Sequence, residues 1–272
     1  MPEGDTIARA AASLRAWLVG EVITAVDARD VALKQRAEAL VGRRVDAVEA
    51  RAKHLLITVG DSVVHSHMRM TGSWHVYTKG ERWRYRHDAM RLLLEAGDRQ
   101  AVCFNAPVVA VIPVREIATI RGLDRLGPDI LTGLDPSSAA DRFDLVNPAT
   151  PMGDALLDQS VISGLGNIWR CETLWAQRVH PRAPVGAVDR TTREALVRTA
   201  ASLMTASVAP GNHRPRPQVY KRTGRPCPRC GAAVASERTG RDNRTAYYCP
   251  NCQRLPATIN PVGDSNELPT NR

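Results

Sequence analysis

The stretch LLDQSVISGLGNIW, residues 156–169, sets the frame for the whole chain. Apolar residues recur at helical spacing on both sides of it, and Gly164 and Gly166 make a tight turn between. Asn167 stands where a helix cap belongs, so the following helix begins from a glycine-rich turn with its backbone amides open, a ready site for a phosphate. Taken alone, the seven residues SGLGNIW favour a packing corner between two helices.

Working outward, the helical pattern continues through TTREALVRTAASLMTASV, residues 191–208, so this part of the chain is a helical domain. Upstream, RLGPDILTGLDPSSAAD (125–141) reads as a connector broken by Gly-Pro and Asp-Pro. Before it lie short Val- and Ile-rich segments, EVITAVDA, HLLITV, SVVHSHM, RLLLEAG and AVCFN, which predict an antiparallel β-sandwich to about residue 120. A helix from Thr6 to Leu18, apolar at Ile7, Ala11, Leu14 and Leu18 and stopped by Gly20, precedes the sandwich. The class is therefore α+β and multidomain. The expected divisions are a sandwich domain (1–124), a linker (125–145), a helical domain (146–212), a basic four-cysteine module (213–260) and a disordered tail (261–272).

The charge is concentrated in the four-cysteine module. Between His213 and Asn260 ten basic side chains face two acidic ones, while the whole chain of 272 residues carries +9. A field so placed suits a polyanion. The module holds CPRC (Cys227, Cys230) and CPNC (Cys249, Cys252), with eighteen residues between the pairs, the spacing of a four-thiolate zinc site on two knuckles. Two disulfides would use the same cysteines, but a reducing cytosol disfavours them. Cys103 and Cys171 sit among apolar residues and read as buried free thiols. With 43% hydrophobic residues, no apolar run of 18 and no signal-peptide core, the chain offers no membrane span, and a cytoplasmic protein is expected.

Taken together, PEG at 2–4, Lys53 in RAKHLL, HMRMTG at 67–72, RLGPDIL at 125–131, LLDQSVISGLGNIW, QVYKRTGRPCPRCG at 218–231 and NRTAYYCPNCQ at 243–253 resemble the formamidopyrimidine-DNA glycosylase and endonuclease VIII family. Gly4 looks like the endonuclease VIII branch. The resemblance implies a β-sandwich, a helix-two-turn-helix domain and a zinc finger with one structural zinc ion. It also implies a glycosylase and lyase acting on damaged DNA, double- or single-stranded, as a monomer associated with the nucleoid.

Chemistry explains why a proline follows Met1. Once Met1 is removed, Pro2 exposes a secondary α-amine that is partly unprotonated near neutral pH. Its attack on the sugar C1′ of a damaged nucleotide would expel the base and leave an iminium, from which the strand breaks by β- and then δ-elimination. By resemblance, Glu3 donates the proton that opens the sugar, Lys53 transfers a proton in β-elimination, and Arg244 grips the phosphates and assists δ-elimination. Asn167 and Arg125 match DNA-contacting positions, and His67 precedes the wedge Arg69, Met70 and Thr71, with Met70 best suited to fill the gap left by an extruded nucleotide. On residue type alone, Lys53 could equally be a solvated strand-edge lysine and Met70 a strand-end core residue.

Thr6 stands where endonuclease VIII commonly has glutamate. The short span before QVYK leaves little room for the lesion-capping loop of the purine-specific branch, so oxidised pyrimidines are the expected substrates. The competing readings are a zinc-finger protein that binds damaged or single-stranded DNA without cutting it, and a formamidopyrimidine-type purine glycosylase.

Overall fold

The structure is a computed structural model that describes residues 2–209, 215–240 and 243–255. The expected tail, together with His213, Arg214 and Arg241, lies outside the described residues.

The first helix, α1 (Gly4–Leu18), buries Ile7, Ala11, Leu14 and Leu18 and ends at Val19, with Gly20 behind it at a φ of +89°. Its apolar stripe follows the helical period, and full burial of each large side chain is worth about 1.5–3 kcal/mol. Eight strands follow: β1 (Ala25–Asp27), β2 (Val45–Arg51), β3 (His54–Val59), β4 (Ser62–His67), β5 (Ser73–Thr78), β6 (Met90–Ala96), β7 (Arg99–Phe104) and β8 (Val108–Pro113), with α2 (Val31–Glu38) after β1. They form two four-stranded antiparallel sheets, ordered β1-β6-β7-β5 and β2-β3-β4-β8. The sandwich is therefore present, and its two open flanks are closed by helices. α1 lies across the edge strands β2 and β5, and α2 across the edge strands β1 and β8. Covering edge strands in this way satisfies the rule that an unpaired edge invites aggregation.

β2, β5, β8 and α2 were not among the predicted segments. VDAVEAR alternates polar and apolar residues, so a list of Val- and Ile-rich runs passes over it, and α2 carries only two buried side chains, Leu33 and Ala37. The predicted EVITAVDA strand shrinks to three residues.

The expected linker 125–145 is not a connector throughout. Pro136–Asp141 forms α3, capped by Asp135, which accepts from the amides of Ser137 and Ser138. Ile130, Ala139 and Phe143 join the core of the helical domain, with Leu156, Leu165, Trp169, Leu196 and Met204. Pro at the first helical position starts a helix as readily as it breaks one. The remaining helices are α4 (Met152–Ala155), α5 (Asn167–Ala176) and α6 (Arg190–Val208). Eight of the ten residues of α5 are buried, because it is packed on one side by α6 and on another by the hairpin β9 (Ala235–Thr239) and β10 (Arg244–Tyr248). No helix among the described residues is long and apolar enough to cross a membrane.

Candidate active site

The N-terminus of α5 is where all three parts of the chain meet. Glu3, the extended residue before α1, is fully buried, and its carboxylate accepts the amide of Ile168 at 2.8 Å and that of Trp169 at 3.3 Å. The open amides that the sequence suggested for a phosphate are thus occupied by the chain's own carboxyl group. A carboxylate meets the same electrostatic need as a phosphate at a helix N-terminus. Asn167 is not the cap either. Gly166 holds that place, and Asn167, the first helical residue, donates through Nδ2 to the Thr245 carbonyl of β10 at 2.9 Å. The buried Oδ1 of Asn167 has no hydrogen-bond partner.

Three glycines make this junction sterically possible. A Cβ on Gly166 would lie 2.2 Å from Glu3 Cδ, and one on Gly4 would lie 2.8 Å from the Gly164 carbonyl oxygen. Gly164 has a φ of +95°, and its carbonyl accepts the Gly4 amide at 2.9 Å. In this position Gly4 is a close-packing requirement as well as a branch marker. Asp5, also buried, accepts from the Ser207 hydroxyl of α6 at 2.8 Å. At 3.4 Å the Thr6 hydroxyl meets Asp5 Oδ1.

Burial pushes the Glu3 carboxyl above the ordinary range. The two helix amides and the nearby Lys53 charge pull it back only in part. Lys53 sits in the tight β2–β3 turn, where Ala52 has a φ of +54°. The RLGPDIL segment braces that turn from beneath. Asp129 Oδ2 accepts the Ala52 amide at 2.7 Å, while its Oδ1 accepts that of Leu131 at 2.9 Å. Gly127 passes so close to residues 160–161 that a Cβ would sit 2.5 Å from the Ser160 carbonyl oxygen. Glu3, Lys53 and the glycine turn are therefore positioned through one connected set of contacts.

The same end of the sandwich carries Arg69, Met70 and Thr71, the segment expected to be the wedge. His67 Nδ1 accepts the Arg69 amide at 3.1 Å, and Arg69 has a φ of +45°. Burial, with Arg69 and Lys53 nearby, holds His67 below the usual histidine range. Behind it His54 Nδ1 lies 2.9 Å from His65 Nε2, and burial lowers these two to about 3 and about 4. Thr71 Oγ1 donates to the Asn105 carbonyl at 3.1 Å. Met68 is 1% exposed and takes the core place at the strand end, which leaves Met70, 66% exposed, projecting outward. Met70 faces a groove of about 540 Å³ whose other walls include Asn167, Tyr220, Lys221, Arg238 and Arg244. The structure thus gathers Met70, Asn167 and Arg244 around one groove. Arg125 stands apart from it, exposed and paired with Asp124 at 3.6 Å.

The four cysteines converge. The Sγ atoms of Cys227, Cys230, Cys249 and Cys252 all lie within 4.8 Å of one another, and Cys230 Sγ is 3.5 Å from Cys249 Sγ. Tetrahedral zinc with Zn–S bonds of about 2.3 Å needs sulfurs roughly 3.8 Å apart, so the donor set and its spacing fit one structural zinc ion. The module is clasped to α5 by polar contacts. Glu172 accepts the amides of Gln218, Val219 and Tyr220 at 2.8, 3.1 and 2.9 Å. Arg229 lies 4.2 Å over the Trp175 ring and donates to the Trp175 and Ala176 carbonyls at the C-terminal end of α5. Cys103 and Cys171 are buried free thiols, as expected.

Asp5, Asp129, Glu172, His54 and His65 were not among the predicted site residues. A signal existed for Glu172, and for Arg170 beside it: charged residues inside an apolar helical run need buried partners.

Comparison with known proteins agrees with this arrangement. Residues 1–107 match the formamidopyrimidine-DNA glycosylase N-terminal domain, residues 126–216 the H2TH domain of the same enzymes, and residues 224–255 a zinc finger found in FPG and IleRS. A probable endonuclease 8 2 from Streptomyces coelicolor is 38% identical over 94% of this chain and 95% of its own length. The DNA-(apurinic or apyrimidinic site) lyase Nei2 of Mycolicibacterium smegmatis is 35% identical over 93% and 99%, and Escherichia coli endonuclease 8 is 31% identical over 93% and 100%. Lactococcus lactis Fpg, solved in complex with DNA containing an abasic site, shares the fold with a TM-score of 0.80 at 21% identity, over 93% of this chain and all of that one. Three domains in order, a four-cysteine zinc site and relatives matched from end to end leave one assignment: the chain belongs to the formamidopyrimidine-DNA glycosylase and endonuclease VIII family.

Proposed function

We propose that the chain is a bifunctional DNA glycosylase and abasic-site lyase that removes oxidised bases, pyrimidines above purines, through a Schiff base on Pro2. The observation that carries this reading is the seating of Glu3. A carboxyl one residue from the nucleophile is buried, clamped by two helix amides and raised toward its protonated form, which suits a general acid. In this reading the free amine of Pro2 attacks C1′, the base departs, and Glu3 supplies the proton that opens the sugar. Lys53, close enough to act on Glu3 electrostatically, assists proton transfer in β-elimination. Arg244 and Asn167 hold phosphates from the groove wall, Arg125 adds an outer contact, and Met70 enters the stack between Arg69 and Thr71 with His67 beneath. The zinc ion folds the module that carries Arg244 and takes no part in the chemistry. A pyrimidine preference rests on Gly4 and on the short span between α6 and QVYK. The protein acts as a cytoplasmic, nucleoid-associated monomer.

Borohydride trapping tests the proposal. Only an iminium between an amine and C1′ reduces to a stable protein–DNA bond. Protein with a proline N-terminus is expected to be trapped on abasic and oxidised-pyrimidine DNA, and a tag ahead of Pro2 should abolish trapping while leaving binding intact. Binding to both substrates without trapping on either would leave a DNA-binding zinc-finger protein in place of an enzyme.

A further inference from the structure

The loop between β5 and β6 reads KGERWRYRHDA, residues 79–89, with arginines at 82, 84 and 86 alternating with Trp83, Tyr85 and His87. It is a strap laid along the outer face of the β1-β6-β7-β5 sheet. At its start the Lys79 amide donates to the Asp98 carbonyl in the β6–β7 turn, at the end of the sandwich opposite the wedge. Trp83 Nε1 donates to Gln100 Oε1 at 3.1 Å, and the Arg84 amide donates to the Tyr77 hydroxyl at 3.0 Å. Tyr85 then lies against Phe104, ring centroids 5.2 Å apart, and Asn105 donates its amide to the Ala89 carbonyl at 2.9 Å. Asn105 is the residue whose carbonyl accepts the Thr71 hydroxyl. The strap thus climbs the sheet from its far end to the wedge.

Along this path Trp83 and Tyr85 turn toward the sheet, His87 is exposed and stacks on Trp83 with ring centroids 5.0 Å apart, and the arginines are exposed to solvent. Arg86 pairs with Asp88 at 3.4 Å, and Lys79 pairs with Glu95 at 2.9 Å. Among the described residues Arg82 and Arg84 form no ion pair. The one acidic residue between Lys79 and Arg86, Glu81, is turned to accept the Thr78 amide. A concavity of about 650 Å³ lies over residues 81–87. Arg82 and Arg84 therefore stand at the exposed surface beside Glu81 and the Arg86–Asp88 pair, and the packed rings of Trp83 and Tyr85 fix their course.

We propose that this strap is a second phosphate track, on which the DNA flanking the lesion lies after it passes the wedge. It rests on the proposed function only in taking damaged DNA as the partner. Guanidinium groups at alternate positions along one loop match a polyanion, and the half-buried Trp83 and Tyr85 hold them without consuming their charge.

The test is equilibrium binding against salt, using DNA with an abasic analogue in a short duplex that ends just beyond the lesion and in one with long flanks. On the long duplex, Arg82→Ala/Arg84→Ala should lower the slope of log affinity against log salt by about 1.8, near 0.9 per lost phosphate contact, with no change on the short duplex. Arg82→Lys/Arg84→Lys should keep the wild-type slope, which separates charge from folding. An unchanged slope for the alanine variant on the long duplex would overturn the proposal. The assay reads binding alone, so a protein that binds but is never trapped by borohydride would sink the enzyme reading and leave this result standing.

Discussion

The junction at the N-terminus of α5 and the zinc hairpin packed on its flank solve opposite problems. At the junction a carboxylate is taken out of water and held by two amides, and three glycines let backbones approach closely. In the hairpin the core is small, Cys171, Val219, Val234 and the buried cysteines, with Arg244 half-buried and Arg238 exposed. One region gains its geometry from close packing between two large apolar cores. The other must draw it from a metal and a few polar clasps. The difference suits the tasks of the proposed mechanism, in which Glu3 as the acid needs fixed surroundings and Arg244 grips phosphate from the groove wall.

Removing the metal should have the largest effect and should separate the two regions. Chelation of zinc, or Cys227→Ser/Cys249→Ser, is expected to unfold residues 215–255 while the sandwich and helical cores stay folded, because structural zinc contributes about 10 kcal/mol or more to such modules. DNA binding should fall to the non-specific level. Elemental analysis of the intact protein and amide exchange of the chelated form would measure this; protection retained throughout the hairpin without metal would contradict it.

A smaller but more local break is Gly166→Ala. The added Cβ would meet the Glu3 carboxyl group and not a flexible chain end. Stability should drop by about 1–3 kcal/mol, and base release should slow by a hundredfold or more, since a displaced general acid loses much of its effect. DNA affinity should change little. A variant with full glycosylase activity would show that Glu3 has room the structure does not display.

Much of this contrast was legible in the chain. The zinc site lay in its spacing, and the sandwich and the paired glycines could be read from local pattern. Reading failed where function depends on distant partners. SGLGN pointed to a phosphate at open helix amides, and nothing local to it could say that the group seated there is the carboxyl of Glu3, which lies 165 positions away from Ile168. Asn167 looked like a cap because its neighbours are those of a cap, and tertiary pairing with Thr245 overrode that preference. RLGPDIL read as a connector because its Gly and Pro are turn formers. Its Asp129 is a brace for the Lys53 turn, a role that only the fold discloses.

In the proposed mechanism the buried carboxyl of Glu3 is the acid that works beside Pro2. Glu3→Gln tests it most directly, because glutamine can still accept from the α5 amides through its carbonyl oxygen but cannot donate an acidic proton. Single-turnover rates should be measured for this variant on DNA with an oxidised pyrimidine and on DNA with a preformed abasic site. Base release on the first substrate should fall by about a hundredfold or more while nicking of the second persists. Base release at the wild-type rate would contradict it.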